Sequence, residues 1–346
     1  MKAFRRYARE ARAARLVDLP VPTPKENEVL LRIAHCGICG SDLHAWLNHK
    51  GYESVLPEVT FGHEFSATVV QTGSRVTNWK TDDQAVMIAL QTHHDENDPY
   101  CRMGLPQLSS RRRVQGLHLD GGMAEYVCVE EEFLLPIPDG LDLELAALTE
   151  PLSVAEHCIG NRTSIGPDDK VIVSGPGIIG LLCAISARSR GAEVIISGTE
   201  RDEATRLTAA RTIGFETLVV GPGHPPLHEQ ITAYFPDGAD ALVEASGSAP
   251  ALADAWQSVR PDGTVTAVAL YSRTIDFDLT QFLRKQIDLR TSYASSKEDY
   301  LRAFKLLQDG AVDASVLTQN YALSDAEQGF IDSENLEVTK VLLNCS

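Results

Sequence analysis

The sequence predicts an α/β protein of two domains: a mostly β part, and a doubly wound parallel sheet of six strands with helices between them. Three observations carry this. At 346 residues the chain exceeds the length at which one hydrophobic core keeps growing. Short apolar runs between proline, glycine and aspartate turns fill its first part, whereas from Lys170 onward apolar strands alternate with helical patterns. A glycine-rich turn, SGPGIIG, stands between the first strand of that alternation and its helix.

The elements follow in order. Arg5, Arg6, Arg9, Arg12 and Arg15 crowd the N-terminus, but Glu10, Asp18 and the immediate onset of strand-like sequence make this a solvated first hairpin, not a targeting peptide. VDLPVPTPKENE then reads as a loop feeding the buried strand VLLRIA, and EFSATVVQTG, QAVMIAL and AEYVCVEEEFLLPIP as further short strands. Over LDLELAALTEPLSVAEHCIG the apolar period turns helical. KVIVS, EVIIS, ETLVV, ADALVEAS, TVTAVAL and IDLRTSYA are the six strands of the parallel sheet, with helices expected from Ile178, after Asp202 and from Pro250, and a connecting segment near His228. KEDYLRAFKLLQDG is an amphipathic helix, and the strand-like TKVLLN returns the chain to the first domain. The expected division is 1–150 with 294–346, against 151–293.

Composition narrows the function. A formal net charge of −17 repels a phosphate backbone, so nucleic acid is not an expected partner. No apolar run approaches the roughly 20 residues that span a bilayer. With no secretory signal, a reducing cytoplasm is expected, and the seven cysteines should be free thiols or metal ligands.

The three glycines of the turn divide its work: Gly175, Gly177 and Gly180 allow a tight turn, close approach to a pyrophosphate, and helix-to-strand packing. The helix opening at Ile178 and Ile179 then offers backbone N–H groups to a diphosphate. A site for NAD would end its second strand with an acid for the adenosine ribose. Here that end carries Ser197, Gly198, Thr199 and Arg201, with Gly198 where the acid belongs. An arginine beside a missing carboxylate favours NADP, although Glu200 is near enough to serve a ribose.

The first domain holds the chemistry-bearing side chains. HCGICGSDLHAW contains Cys36 and Cys39 at a spacing that suits a redox pair, half of a zinc finger or a corner of a catalytic metal site. FGHEF adds His63 and Glu64, and LTEPLSVAEH adds Glu150. Cysteine, histidine and carboxylate are the ligand types of catalytic zinc, which keeps an open position for water or substrate.

GICGSDLH, GHE, TEPLSVAEH, GPGIIG, VEASG and the terminal KVLLN, in this order over the whole chain, resemble the zinc-dependent medium-chain dehydrogenases, specifically their sorbitol (L-iditol) dehydrogenase-like polyol branch. The resemblance implies a GroES-like catalytic domain joined to a Rossmann domain. It assigns Cys39 and His63 to a catalytic Zn2+, leaves Cys36 as a small buried residue, and gives the third place to either Glu64 or Glu150. Ser41 and His44 match a proton relay. Glu244, Leu270 and Lys340 are lesser candidates for cofactor contact. Relatives commonly carry a second, structural zinc held by four cysteines, but counting that spacing about Cys101 puts Asp95, Asp98 and Ser109 in the other places, so no structural zinc is expected. His93 and His94 beside it read as a solvated loop.

The implied activity is hydride transfer from a secondary hydroxyl of a polyol or sugar-derived alcohol to NAD(P), giving a ketone. L-Threonine 3-dehydrogenase, a simple secondary-alcohol dehydrogenase and a catalytically silent nucleotide-binding relative are the alternatives. Family resemblance further implies a homodimer or homotetramer joined at edge strands of the nucleotide domain.

Overall fold

A hairpin opens the chain, β1 (Lys2–Arg6) pairing antiparallel with β2 (Ala14–Asp18), and β4 (Val59–Thr60) completes a three-stranded sheet on the other side of β1. The computed structural model describes every residue except 272 and 273. One sequence expectation fails at the hairpin. Strand alternation turns Arg6 inward, where it is 2 % exposed and donates to the carbonyls of Ala8 and Ala45 and to Asn48 Oδ1. Arg5 instead pairs with Asp120, so these arginines are structural as well as solvated.

The larger sheet of this unit runs β10 (Leu134–Pro136), β6 (Gln84–Met87), β5 (Glu64–Thr72), β3 (Glu28–Gly37), β18 (Lys340–Asn344), β17 (Thr318–Ala322), with β9 (Tyr126–Glu130) also on β3. A two-stranded ribbon joins β7 (Leu90–Gln91) to β8 (Arg113–Val114). β3 is the spine of the larger sheet: Val29, Leu31, Ile33 and Cys36 are fully buried, each large aliphatic side chain contributing about 1.5–3 kcal/mol of burial. Under the hairpin, Phe330 meets Phe4, Trp46 and Phe61 at ring separations of 5.2, 5.3 and 5.8 Å. Cys36 is therefore core, and among the described residues it is not part of the donor group that includes Cys39.

This unit comprises Met1–Glu150, Ser295–Gln308 and Thr318–Ser346; the second comprises Pro151–Ala294 and Asp309–Leu317. Asp309–Leu317 falls with the second unit instead of the first, because the short helix Ala314–Leu317 packs on the helix Thr208–Thr212.

The second unit is a six-stranded parallel sheet in the order β13 (Glu216–Val220), β12 (Glu193–Thr199), β11 (Lys170–Ser174), β14 (Ala239–Glu244), β15 (Val259–Ala267), β16 (Asp288–Thr291). Its strands are apolar runs because helices cover both faces. Ile172, Ile195, Leu242, Val265 and Phe282 form one core cluster, and the helix Ile178–Ser189 buries Leu181, Leu182 and Ile185. The strand order reverses between β11 and β14, the place where open sheets of this kind bind ligands. Around Asp202 the expected helix is broken into a 3-10 turn over Glu200–Asp202, a π turn over Glu203–Leu207 and the short α-helix Thr208–Thr212.

Candidate active site

Antiparallel register assembles a polar cluster in the first unit. Gly37 of β3 lies opposite Glu64, the first residue of β5, while Leu342 of β18 pairs with Gly37 from the other side. Cys39, two residues beyond β3, is therefore carried to His63 and Glu64, and Lys340 to the same spot. Gly37 must lack a side chain, since a Cβ there would run into the Glu64 carboxylate and the Lys340 stem.

Cys39 Sγ, a His63 ring nitrogen and a Glu64 carboxylate oxygen all lie within 4.8 Å of one another. Thiolate, imidazole and carboxylate at that separation suit one zinc ion with a position left over. Cys39 also caps the helix Gly40–Trp46, and Asp42 at its third position accepts from the Cys39 backbone N–H at 3.0 Å.

Asp42, which sequence reasoning passed over, is wholly buried, and its Oδ1 lies 3.4 Å from His63 Nδ1. At that distance they form an ion pair, yet neither atom finds an aligned hydrogen bond. A carboxylate behind the far nitrogen of a ligating histidine is the arrangement that fixes its tautomer and orients the ring toward a metal. Burial opposes a proton on His63, but Asp42 and then Cys39 outweigh it and hold the imidazole well above its usual range. The signal for Asp42 was available in CGSD, an N-cap residue followed by an acid at the capping-box position.

Glu64 and Lys340 form a buried ion pair, and the Lys340 ammonium also donates to the Ile38 carbonyl at 2.9 Å. Lys340, expected among the cofactor contacts, is thus engaged beside the three-donor cluster and only 2 % exposed. Burial lowers its pKa, but Glu64 and Cys39 more than offset this. Glu150 lies outside the three-donor cluster but within its field. Burial, reinforced by Glu64 and opposed by His63 and Lys340, pushes its carboxyl up to about 7.

Ser41 Oγ approaches His63 Nε2 at 3.3 Å. His44 turns to His49, Nδ1 to Nδ1 at 2.8 Å, and stacks on Tyr52 with ring centroids 5.5 Å apart. His49 had no signal in the sequence beyond following His44 by five positions.

The second cysteine-spaced lobe is built differently. Asp98 accepts from Ser109 Oγ at 2.6 Å, and Arg111 reaches Asp95 at 2.5 Å and Asp98 at 3.4 Å. One thiol, with both carboxylates committed to a guanidinium and a hydroxyl, does not fit a closed zinc site. His93 lies between Glu132 at 2.5 Å and Glu130 at 3.5 Å.

In the second unit the three glycines act as their spacing requires. Gly175 has φ +103°, Gly177 caps the helix Ile178–Ser189 and faces open space, and a Cβ on Gly180 would strike the Gly175 carbonyl. Ile178 and Ile179 form the first turn of that helix. At the end of β12, Ser197 is buried with no partner for its hydroxyl among the described residues. A Cβ on Gly198 would press on the Pro176 ring, so no acid fits there. Thr199 is held by Asp202 at 2.8 and 2.9 Å, Glu200 is drawn to His224 at 2.9 Å, and Arg201 is exposed. Leu270 is half-exposed, whereas Glu244 is fully buried and bonded to its own loop.

Comparison with known proteins agrees with this geometry. Residues 25–139 match the family model "Alcohol dehydrogenase GroES-like domain", and residues 179–309 match "Zinc-binding dehydrogenase". A sorbitol dehydrogenase of Halalkalibacterium halodurans is 33 % identical over 94 % of each chain, and a D-arabitol-phosphate dehydrogenase of Enterococcus avium is 32 % identical over 91 % of this chain and 89 % of that one. Among solved structures, 2R,3R-butanediol dehydrogenase from Bacillus subtilis superposes with a TM-score of 0.87, 26 % identity and 99 % of each chain covered. A Sinorhizobium meliloti chain described as a zinc-binding dehydrogenase and bound to NADP gives 0.89 at 27 % identity, over 99 % of this chain and 98 % of that one.

Proposed function

This chain belongs to the zinc-binding alcohol dehydrogenase family, in its polyol dehydrogenase-like branch, and from that membership we propose that it oxidises a secondary hydroxyl of a polyol or sugar-derived alcohol to a ketone. The observation that carries the reading is the convergence of Cys39, His63 and Glu64 in the first unit. These three would hold one zinc, which would supply a Lewis acid at the substrate hydroxyl, and NAD(P) would supply the hydride acceptor. Asp42 fixes the His63 ring, and Lys340 orients the Glu64 carboxylate. Ser41 and His44 are the relay residues for the alcohol proton, with His49 meeting His44 Nδ1 to Nδ1 at 2.8 Å. Glu150, poised near neutral pH, exchanges a proton at the same site.

In the second unit, Gly175, Gly177, Gly180, Ile178 and Ile179 cradle the diphosphate. Gly198 without a carboxylate, Glu200 engaged by His224 and exposed Arg201 favour NADP over NAD. Ser197, Thr199 and Leu270 complete the cofactor contacts. We read the open edge strand β16, with Leu289 44 % exposed, as the seam of a homodimer or homotetramer. Seven free cysteines suit the cytoplasm, and no helix among the described residues is long and apolar enough to cross a membrane.

The test is turnover of polyols, their phosphates, threonine and simple secondary alcohols, with NAD and NADP in parallel, followed by the absorbance of the reduced nicotinamide. Polyol oxidation that disappears on zinc removal supports the reading. Turnover of threonine alone, or of nothing in the zinc-loaded protein, replaces it.

A further inference from the structure

Two loops leave the carboxyl end of the parallel sheet side by side, 245–248 after β14 and 268–271 after β15. The first lies against the glycine turn, so close that a Cβ on Gly175 would meet the Ser246 backbone at 2.6 Å. The second lies against the first, with the Leu270 carbonyl 3.0 Å from where a Gly247 Cβ would stand. Glu244 sits at the root of both and is wholly buried. Its carboxylate accepts from Ser246 N–H at 2.9 Å, Gly247 N–H at 3.2 Å and the Ser246 hydroxyl, all within its own loop. Among the described residues the remaining donor is Tyr271 Oη, from the neighbouring loop.

A buried carboxylate persists only when hydrogen bonds replace its hydration. All four groups donate to this one carboxylate, so both hydroxyl orientations are determined. Backbone bonds from Val268 and Ala269 to the Glu244 carbonyl hold the start of the second loop, but farther along Tyr271 is the side chain that ties it down. Burial, the hydrogen bond and the Glu244 charge all keep the phenol protonated as a donor.

We propose that Tyr271, acting through Glu244, is a positioning residue that sets the spacing of these two loops for the nicotinamide half of the dinucleotide. The inference rests on the dinucleotide reading given above. In a doubly wound sheet each half of the fold takes one mononucleotide, and β14 to β16 form the half opposite the adenosine side. The brace therefore acts on one half of the ligand and spares the other. Glu244, which the sequence nominated as a cofactor contact, is assigned here to the loop instead.

The experiment measures binding of NADH, NADPH and ADP, by calorimetry, to the zinc-loaded protein and its Tyr271→Phe variant, with thermal melts of both. Phenylalanine removes only the hydroxyl. The expected result is that the better-bound reduced dinucleotide weakens about tenfold while ADP affinity stays put, in a variant that still folds and melts only a few degrees lower, as the loss of one buried hydrogen bond requires. Unchanged dinucleotide affinity, equal weakening of ADP, or a variant that fails to fold overturns the proposal. A parent protein that binds none of the three overturns the dinucleotide reading itself, a distinct outcome.

Discussion

At the residue scale, the proposed chemistry would depend on side chains behind the donor cluster. Asp42 is the clearest case, because a carboxylate 3.4 Å from His63 Nδ1 would leave Nε2 as the nitrogen free to coordinate a metal. Replacing it with alanine should weaken zinc affinity by about 10- to 100-fold, read by competition with a chromophoric chelator. Lys340 makes the opposite argument. Its ammonium neutralises a carboxylate with which it is wholly buried, and truncating one partner of such a pair leaves a charge stranded. Lys340→Met should cost about 3–5 kcal/mol in urea unfolding of the zinc-free protein. Zinc should restore part of that loss, since the ion takes over the neutralising role. The sequence nominated Cys39 and His63 with either Glu64 or Glu150, of which the fold gathers Cys39, His63 and Glu64, but it left Lys340 with the cofactor and Asp42 unremarked. Neither assignment is visible until the strands pair.

At the element scale, register is the deciding quantity. The β3–β5 pairing that sets Gly37 opposite Glu64 also fixes the distance from Cys39 to His63, and a one-residue slip would turn these side chains to the wrong face. Gly37→Ala should therefore destabilise the first unit by about 1–3 kcal/mol, the range for overpacking, and release zinc with it. Thermal melts with and without added zinc would detect both. The lobe around Cys101 offers an independent test. Asp98 is held below the usual carboxylate range by Ser109 first, and Asp95 by the Asn97 backbone and then Arg111. A depressed carboxyl pKa means stability that is present above the unfolded value, about 3.9, and lost as pH falls through the folded one. The lobe should resist limited proteolysis at neutral pH, withstand chelators there, and open in acid below about pH 4. Arg111→Ala should open it at every pH.

At the scale of the whole molecule, the two units divide the work of binding. The donor cluster belongs wholly to the first and the glycine turn wholly to the second. Elemental analysis should find about one zinc per chain, because the site built from Cys39 has the donors that suit the ion and the Asp95–Arg111 lobe does not. Stripping that zinc should abolish turnover while leaving dinucleotide binding intact; simultaneous loss of both would contradict the division.

The sequence by itself determined what neighbouring residues decide: the alternation that makes a parallel sheet, the glycines that turn β11 into its helix, and the donor types offered for a metal. These are local, since periodicity and backbone freedom act over a few residues. Only the tertiary structure decided which carboxylate joins Cys39 and His63, and that Lys340 belongs to Glu64, 276 positions away along the chain. It alone showed that Glu244 braces a loop. The physical reason is that a buried charge must be compensated by whatever the fold brings within about 4 Å, and strand register, not sequence distance, chooses that partner.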